Sequence, residues 1–392
     1  MRDFTVVIKP KSKSPLERMP WGGATSRVAL FSINSPLARL WRKIPPTMQA
    51  VRLHPAPASS PAYSPLNPAP SSALHLDKDL PIPKPSKPGE LLVRVRAATV
   101  VRDMLTWPET YAHDYPILGN DLSGVVVETF SQQSSFKPGD EIFGMTDGER
   151  PCTWAEYCIV MEDEVALKPK GLTWDAAAAM PLSAQTAYEA LYDHAGISVP
   201  VLGDNFRPGG RRSLTSEHKQ RLLITGAAGA VGIYLVQLAS ISDLYTVAAT
   251  SSNARNKEFL QTLGADETVE YSALLGGNKK SFDVIVDTVG GSTLLGCWEN
   301  IKEGGTIISV DSASYDFVAD HQKRSLSKEG INALFFIVKG GKRSLEFLAR
   351  LAELDILRPF VLQTYPLSEV RQAYDHTNGR YSGRGKVILT IN

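Results

Sequence analysis

At 392 residues the chain is long enough for two domains, and an apolar share of 43% can fill two cores. Lys and Arg number 42 against 41 Asp and Glu, a net charge of +1 that argues against a protein living on nucleic acid. Three cysteines, Cys152, Cys158 and Cys297, have neither metal-ligand spacing nor the density of a disulfide framework, which implies a reducing compartment. No apolar run reaches the length of a membrane span.

Residues 1–47 differ in kind from the rest of the chain. From Arg18 to Leu76 there is no acidic residue, and Arg27, Arg39, Arg42 and Lys43 sit among Val28, Leu30, Phe31, Leu37, Leu40 and Trp41. An Arg-rich, acid-free, amphipathic start has the composition of a mitochondrial transit segment. The other reading is a disordered leader ahead of a start at Met48, which leaves the protein cytoplasmic.

Residues 48–53 begin the folded part as a strand, and the Pro/Ala/Ser-rich stretch 55–71 reads as a loop. Residues 91–101 alternate as a half-exposed strand, with further short strands at 124–129, 141–145, 155–160 and 165–168. This is a β-rich domain. After Trp174 the texture changes to helices alternating with buried strands at 222–225, 247–250, 284–286 and 306–310, which calls for a doubly wound parallel sheet. Residues 331–338 form the densest long apolar run and read as a buried strand. The domains expected are therefore an N-terminal extension over 1–47, a β-rich domain over 48–180 completed by 346–392, and a doubly wound domain over 181–345. A polar insertion at about 197–219 reads as a surface loop.

The most informative segment is Leu222-Leu223-Ile224-Thr225-Gly226-Ala227-Ala228-Gly229-Ala230-Val231-Gly232, an apolar strand running into a small-residue turn that opens a helix. Gly226, Gly229 and Gly232 allow a tight turn, close approach of a pyrophosphate and close helix–strand packing, while Ala228, Ala230 and Val231 keep the turn small. Free N–H groups at the helix start then face the phosphates. The next strand ends at Thr250, where an NAD site normally offers Asp or Glu to the ribose. Here the chain offers Ser251, Ser252 and Arg255, which suit a 2′-phosphate through charge-assisted hydrogen bonds, so the cofactor expected is NADPH. The bland reading of Arg255 and Lys257 is solvated residues at a helix start.

In order along the chain stand Leu118-Gly119-Asn120-Asp121, Lys137-Pro138-Gly139-Asp140, Trp154-Ala155-Glu156-Tyr157, Gln185-Thr186-Ala187-Tyr188, Leu263-Gly264-Ala265-Asp266, Asp287-Thr288-Val289-Gly290-Gly291 and Gly385-Lys386-Val387-Ile388-Leu389. With the glycine loop, these landmarks resemble the zinc-free branch of the medium-chain dehydrogenase/reductase superfamily, the quinone oxidoreductase and enoyl reductase group, from about residue 48 to the end. Trp107-Pro108-Glu109-Thr110 looks like a fungal subgroup, and residues 358–391 are similar to the reticulon-interacting mitochondrial oxidoreductases. The resemblance implies a GroES-like β-rich catalytic domain joined to a Rossmann domain, a small-molecule substrate, and a homodimer through the edge strand near Phe335. It places Thr186 and the backbone from Asp287 to Gly290 near the nicotinamide, and matches Tyr271 to a tyrosine bordering the adenosine phosphate. Lys386 matches a lysine reaching toward the cofactor cleft. Phe336, with Phe335 and Ile337, would line the substrate side. A surface aromatic at a strand end is the other reading of Tyr271, and a buried strand accounts equally for the phenylalanines.

Zinc-dependent members of the superfamily hold their metal with Cys and His ligands. Val100 and Val101 stand where the Cys would fall and Asn120 where the His belongs, so no metal is expected. The resemblance then implies hydride transfer to an activated C=C bond or a quinone-like acceptor. Tyr111 follows Asp103 by eight residues, a spacing similar to that of the proton-donating tyrosine of mitochondrial enoyl thioester reductases. Packing or substrate lining is the other role open to it. A pathway-specific reductase of secondary metabolism and a cofactor-binding regulatory protein with little turnover remain alternatives.

Overall fold

The computed structural model describes residues 44–203, 219–274, 281–379 and 383–392. Most of the expected N-terminal extension and most of the polar insertion lie outside the described residues. Residues 45–392 form one compact unit.

The chain enters through strand β1 (Thr47–Leu53), paired antiparallel with β2 (Leu74–Pro81). Then come β3 (Glu90–Val100), β4 (Asp121–Thr129), β5 (Glu141–Met145), β6 (Tyr157–Met161) and β7 (Val165–Leu167). Two short helices come next, α1 (Trp174–Ala178) and α2 (Pro181–Tyr188), and α2 runs on into a π-helical turn over Glu189–His194. The half-exposed strand expected at 91–101 needs correcting. β3 is buried on both faces apart from Glu90, Arg94 and Arg96, because Leu91, Val93 and Val95 enter the main core while Leu92 packs on Met48 and Ala50 of β1 and Ala97 on Ala178 and Ala179 at α1.

The parallel half continues in regular alternation: β8 (Arg221–Ile224), α3 (Gly232–Ser240), β9 (Tyr245–Thr250), α4 (Asn253–Thr262), β10 (Glu267–Glu270), β11 (Phe282–Asp287), α5 (Gly291–Asn300), β12 (Ile301–Ser309), α6 (Phe317–Lys323) and β13 (Asn332–Phe335). The sheet order is β10-β9-β8-β11-β12-β13, all parallel, the doubly wound order in which wiring reverses between β8 and β11. Helix α3 is apolar nearly all round and buried from Gly232 to Ala239, as a helix enclosed on every side must be. The run at 331–338 is not the buried strand expected: β13 is last in the sheet, with one neighbour, and no residue in it is fully buried.

Helix α7 (Lys342–Glu353) buries Leu345, Leu348 and Leu351 on one stripe. β14 (Val361–Pro366), α8 (Val370–Asn378) and β15 (Lys386–Thr390) complete the chain. β14 and β15 return to the first half and extend its sheet to seven strands in the order β14-β15-β3-β4-β5-β7, with β6 paired to β3 off that path. The two sheets carry separate cores, one around Trp154, Leu118 and Leu122, the other around Tyr234, Leu235 and Ile224.

A buried polar knot ties the two halves together. Asp121 on β4 is fully enclosed; its carboxylate accepts from the N–H of Leu182 in the first turn of α2 (2.6 Å), from Thr99 Oγ1 (2.6 Å) and from Lys386 Nζ (2.5 Å). Lys386 is 4% exposed. A buried charge persists when it is paired and its remaining lone pairs are filled, and both conditions are met here.

Candidate functional site

Open α/β sheets bind ligands at the carboxyl ends of their strands, where the wiring reverses. At that point the turns after β8 and β11 face each other. Gly226 has φ +64°, and a Cβ there would stand 2.1 Å from Thr288 Oγ1. At Gly232 a Cβ would stand 2.2 Å from the Gly226 carbonyl oxygen. Only glycine fits either place. The turn closes on itself through the Gly229 N–H to Gly226 O bond (2.8 Å), and the Ala227 N–H donates to Ala249 O on β9 (3.2 Å). Ala228 and Val231 pack partly on the core, while Gly229 is exposed at the tip and Ala230 is half-buried. The result is a shallow backbone cradle at the start of α3, of the size and polarity that suit a pyrophosphate.

The Tyr271 hydroxyl accepts from the Gly226 N–H (3.1 Å), so this aromatic borders the turn, and burial pushes its phenol up. Across the crevice Asp287 ends β11. Its carboxylate accepts from Thr225 Oγ1 (2.5 Å), Ser309 Oγ (3.1 Å) and the Gly290 N–H (2.9 Å). Burial pushes Asp287 up from the ordinary carboxylate range, and those three donors oppose the rise. Gly290 has φ +71° and lies against Asp311, whose carboxyl is also raised by burial, with Asp103 adding to the rise.

At the end of β9, Thr250 is buried and Ser251 and Arg255 are exposed, Arg255 in the first turn of α4. The Ser252 N–H donates to Thr250 Oγ1 (3.1 Å). A residue not anticipated from sequence joins them. Arg384, just before β15, donates through one guanidinium nitrogen to Arg255 O (2.5 Å) and Asn256 Oδ1 (3.3 Å) and lies 4.1 Å over the Phe259 ring. The pattern Gly-Arg-Gly-Lys holds no hint of this, because 129 residues separate the partners.

Thr186 is buried on α2 and its hydroxyl donates to Leu182 O (2.7 Å). Two neighbours on the same helical run hold the segment after β13. Gln185 Oε1 accepts from the Gly341 N–H (2.8 Å) and Ser344 Oγ (2.6 Å), and the Glu189 carboxylate accepts from the N–H groups of Gly340 (2.7 Å) and Lys339 (3.1 Å). Burial raises the Glu189 carboxyl. Phe336, in that segment, stacks on His194 with ring centres 4.2 Å apart.

Two expected site residues are placed differently. Lys386 is expected to reach the cofactor; its ammonium is paired with Asp121 inside the knot, which makes it a strut within the β-rich sheet. Tyr111 is expected as a proton donor or as a packing or substrate-lining residue; its hydroxyl donates to Leu105 O (2.5 Å) and accepts from the Ala69 N–H (2.9 Å). Burial pushes the phenol up, with the Ala69 N–H opposing. Its geometry is that of a brace between two backbone segments.

The zinc positions of the superfamily carry Val100, 2% exposed, and Asn120, whose side-chain amide donates to Asp147 O (3.1 Å). An alkyl group and a carboxamide held by its own N–H do not make a zinc ligand set, so the residues present do not fit that metal. Among the described residues no group of three or more His, Cys, Asp or Glu is placed to hold one. No helix among them is long and apolar enough to cross a membrane.

Two known sequence families match parts of the chain: the alcohol dehydrogenase GroES-like domain over residues 87–172 and the zinc-binding dehydrogenase family over residues 263–389. Among curated proteins the chain is 30% identical over 322 residues to the "Probable zinc-binding oxidoreductase, mitochondrial" of Arthroderma benhamiae, a match covering 79% of this chain and 91% of that protein. It is 29% identical to the mouse "NAD(P)H oxidoreductase RTN4IP1, mitochondrial", covering 82% and 86% of the two chains. Among solved structures the quinone oxidoreductase of Coxiella burnetii superposes with a TM-score of 0.70 at 24% identity, covering 88% of this chain and all of the other.

Proposed function

Since the chain belongs to the medium-chain dehydrogenase/reductase superfamily, in its quinone-oxidoreductase-like branch, we propose that it is an NADPH-dependent, zinc-independent reductase of an activated C=C bond or a quinone-like acceptor. The observation carrying this reading is the cradle of Gly226, Gly229 and Gly232 with Ser251, Ser252 and Arg255 one strand away, where the one carboxylate beside them, Glu270, accepts from the Asn253 N–H (2.8 Å). When bound, NADPH supplies a hydride; the protein orients it and the acceptor. The backbone of the turn would hold the pyrophosphate, and Tyr271 keeps the Gly226 N–H in place beside it. Ser251, Ser252 and Arg255 would take the 2′-phosphate. Asp287 fixes the turn through Gly290, and Gln185 and Glu189 fix the segment carrying Phe336, which would close the nicotinamide end. The acid-free segment 18–47 and the mitochondrial names of both relatives support a mitochondrial address, which a fluorescent reporter fused to residues 1–47 tests. A diffuse cytosolic signal would contradict it.

A charge-assisted hydrogen bond to phosphate contributes about 1.5–3 kcal/mol. Arg255→Ala should therefore weaken NADPH by roughly ten- to a hundredfold and leave NADH nearly unchanged, read by fluorescence titration of both cofactors. Equal losses, or a wild-type preference for NADH, would overturn the phosphate assignment.

Tyr111→Phe separates bracing from proton donation. Losing the hydroxyl strands the Ala69 N–H and the Leu105 carbonyl, at a cost of about 1–3 kcal/mol in denaturant unfolding, while enone turnover should stay near the wild-type rate. A drop of about a hundredfold in enone reduction with unchanged stability would restore the donor role.

A further inference from the structure

Two of the three cysteines lie together, outside the groups used above. Cys152 sits in the loop between β5 and β6, and Cys158 is the second residue of β6. Cys152 is half-buried and Cys158 is enclosed in the core of the β-rich half. The Cys152 thiol donates to Ile159 O at 3.6 Å, which puts its sulfur against the peptide just beyond Cys158. Both side chains pack into the same apolar core.

The segment between them is pinned. Cys152 N–H and Thr153 N–H both donate to Gly119 O (2.8 and 3.1 Å), Trp154 N–H to Leu118 O (2.9 Å), and the Trp154 indole N–H to Thr99 O (2.9 Å). Two cysteines set side by side by a fixed loop have already lost much of the chain entropy that opposes a cross-link. The neighbouring Cys152 thiol and burial push the Cys158 thiol well up; Glu164 adds to the rise, and Arg150, ion-paired to Glu164, opposes it. The half-buried thiol can meet an oxidant; the enclosed one can meet only its neighbour.

We propose that Cys152 and Cys158 are a peroxide-oxidisable dithiol that closes to a reversible intramolecular disulfide. The Cys152 thiolate attacks one oxygen of hydrogen peroxide; the S–O bond forms, the O–O bond breaks, and the leaving hydroxide takes a proton to become water. The Cys158 sulfur then attacks the Cys152 sulfenic acid, the S–S bond forms, the S–O bond breaks, and a second water departs with the Cys158 proton. Two thiols and one peroxide give one disulfide and two waters. Cys297 is left out: it lies on α5 in a different core, its thiol donating to Thr293 O (3.4 Å), with no second cysteine beside it.

The test is made on the full native chain. It is treated with a slight excess of hydrogen peroxide, denatured in the presence of an alkylating agent, digested and read by mass spectrometry. The expected product is a peptide linked through Cys152 and Cys158, lighter by two hydrogens and lost on treatment with dithiothreitol, with Cys297 alkylated in full. In Cys158→Ser the same treatment should leave a dimedone-reactive sulfenic acid at Cys152. Cys152→Ser should leave Cys158 reduced. Wild-type protein that shows Cys152 as sulfinic acid with no linked peptide, a cross-link between chains, or both thiols still free would overturn the proposal.

Discussion

Replacing Gly226 with alanine should lower NADPH affinity by about a hundredfold or more. The backbone there sits at φ +64°, where a side chain costs about 1–2 kcal/mol. The new methyl would also stand 2.1 Å from Thr288 Oγ1, so the turn after β8 or the turn after β11 must move, and the proposed pyrophosphate cradle lies on the first of these. Thr288 cannot simply rotate away, because its hydroxyl donates to Thr225 O (3.0 Å) and its N–H donates to Thr225 Oγ1 (3.2 Å). Removing the obstacle in Gly226→Ala/Thr288→Ala should recover part of the loss. Gly139→Ala is the control: φ is +101° and nothing stands within 4 Å of the added carbon, so stability should fall by the backbone strain alone and affinity not at all. Isothermal titration of the three variants decides it. Unchanged affinity in Gly226→Ala would remove the turn from the binding site.

Lys386→Met should destabilise the protein by about 3–5 kcal/mol, the cost of leaving a buried charge without its partner. Asp121 would keep the Thr99 hydroxyl and the Leu182 N–H as donors, but no cation. Asp121→Asn in the same chain should return much of that stability, since a neutral pair of similar volume carries no charge to desolvate. The Leu182 N–H lies in the first turn of α2, which also carries Gln185 and Thr186, so the single variant should loosen the cofactor end as well as the fold. Urea unfolding read by tryptophan fluorescence measures both variants. A change below about 1 kcal/mol in Lys386→Met would mean that the pair is solvated in solution.

The parallel half is legible in the sequence because its signals are local. Strand β8, the glycine turn and α3 occupy one short stretch, and each glycine answers a steric demand made within a few residues or from the facing Thr288. The pairing of Asp121 with Lys386 is not legible, although both lie in landmark segments. They are 265 residues apart, and nothing in either segment says which charge meets which. Distance in sequence also hides Arg384 on α4, and the hold of Glu189 on the backbone 150 residues away. β3 misleads for a different reason: Arg94 and Arg96 produce alternation, yet β1 and α1 cover the face opposite the main core and bury Leu92 and Ala97 there. Tyr111 shows the limit of spacing arguments. Its distance from Asp103 along the chain says nothing about Ala69 and Leu105, which take up both hydrogen-bonding capacities of the hydroxyl.

The central claim is that this crevice delivers a hydride from NADPH to an electrophilic acceptor. NADPH deuterated at C4 of the nicotinamide, on one face or the other, is mixed with the full chain and a panel of enones and quinones after exhaustive chelation, and the products are read by mass spectrometry. The account predicts deuterium from one face only, at the β-carbon of a reduced enone or in the hydroquinone pool, with the rate unaffected by the chelator. Tight NADPH binding with no labelled product from any acceptor, or turnover that stops when zinc is removed, would contradict it.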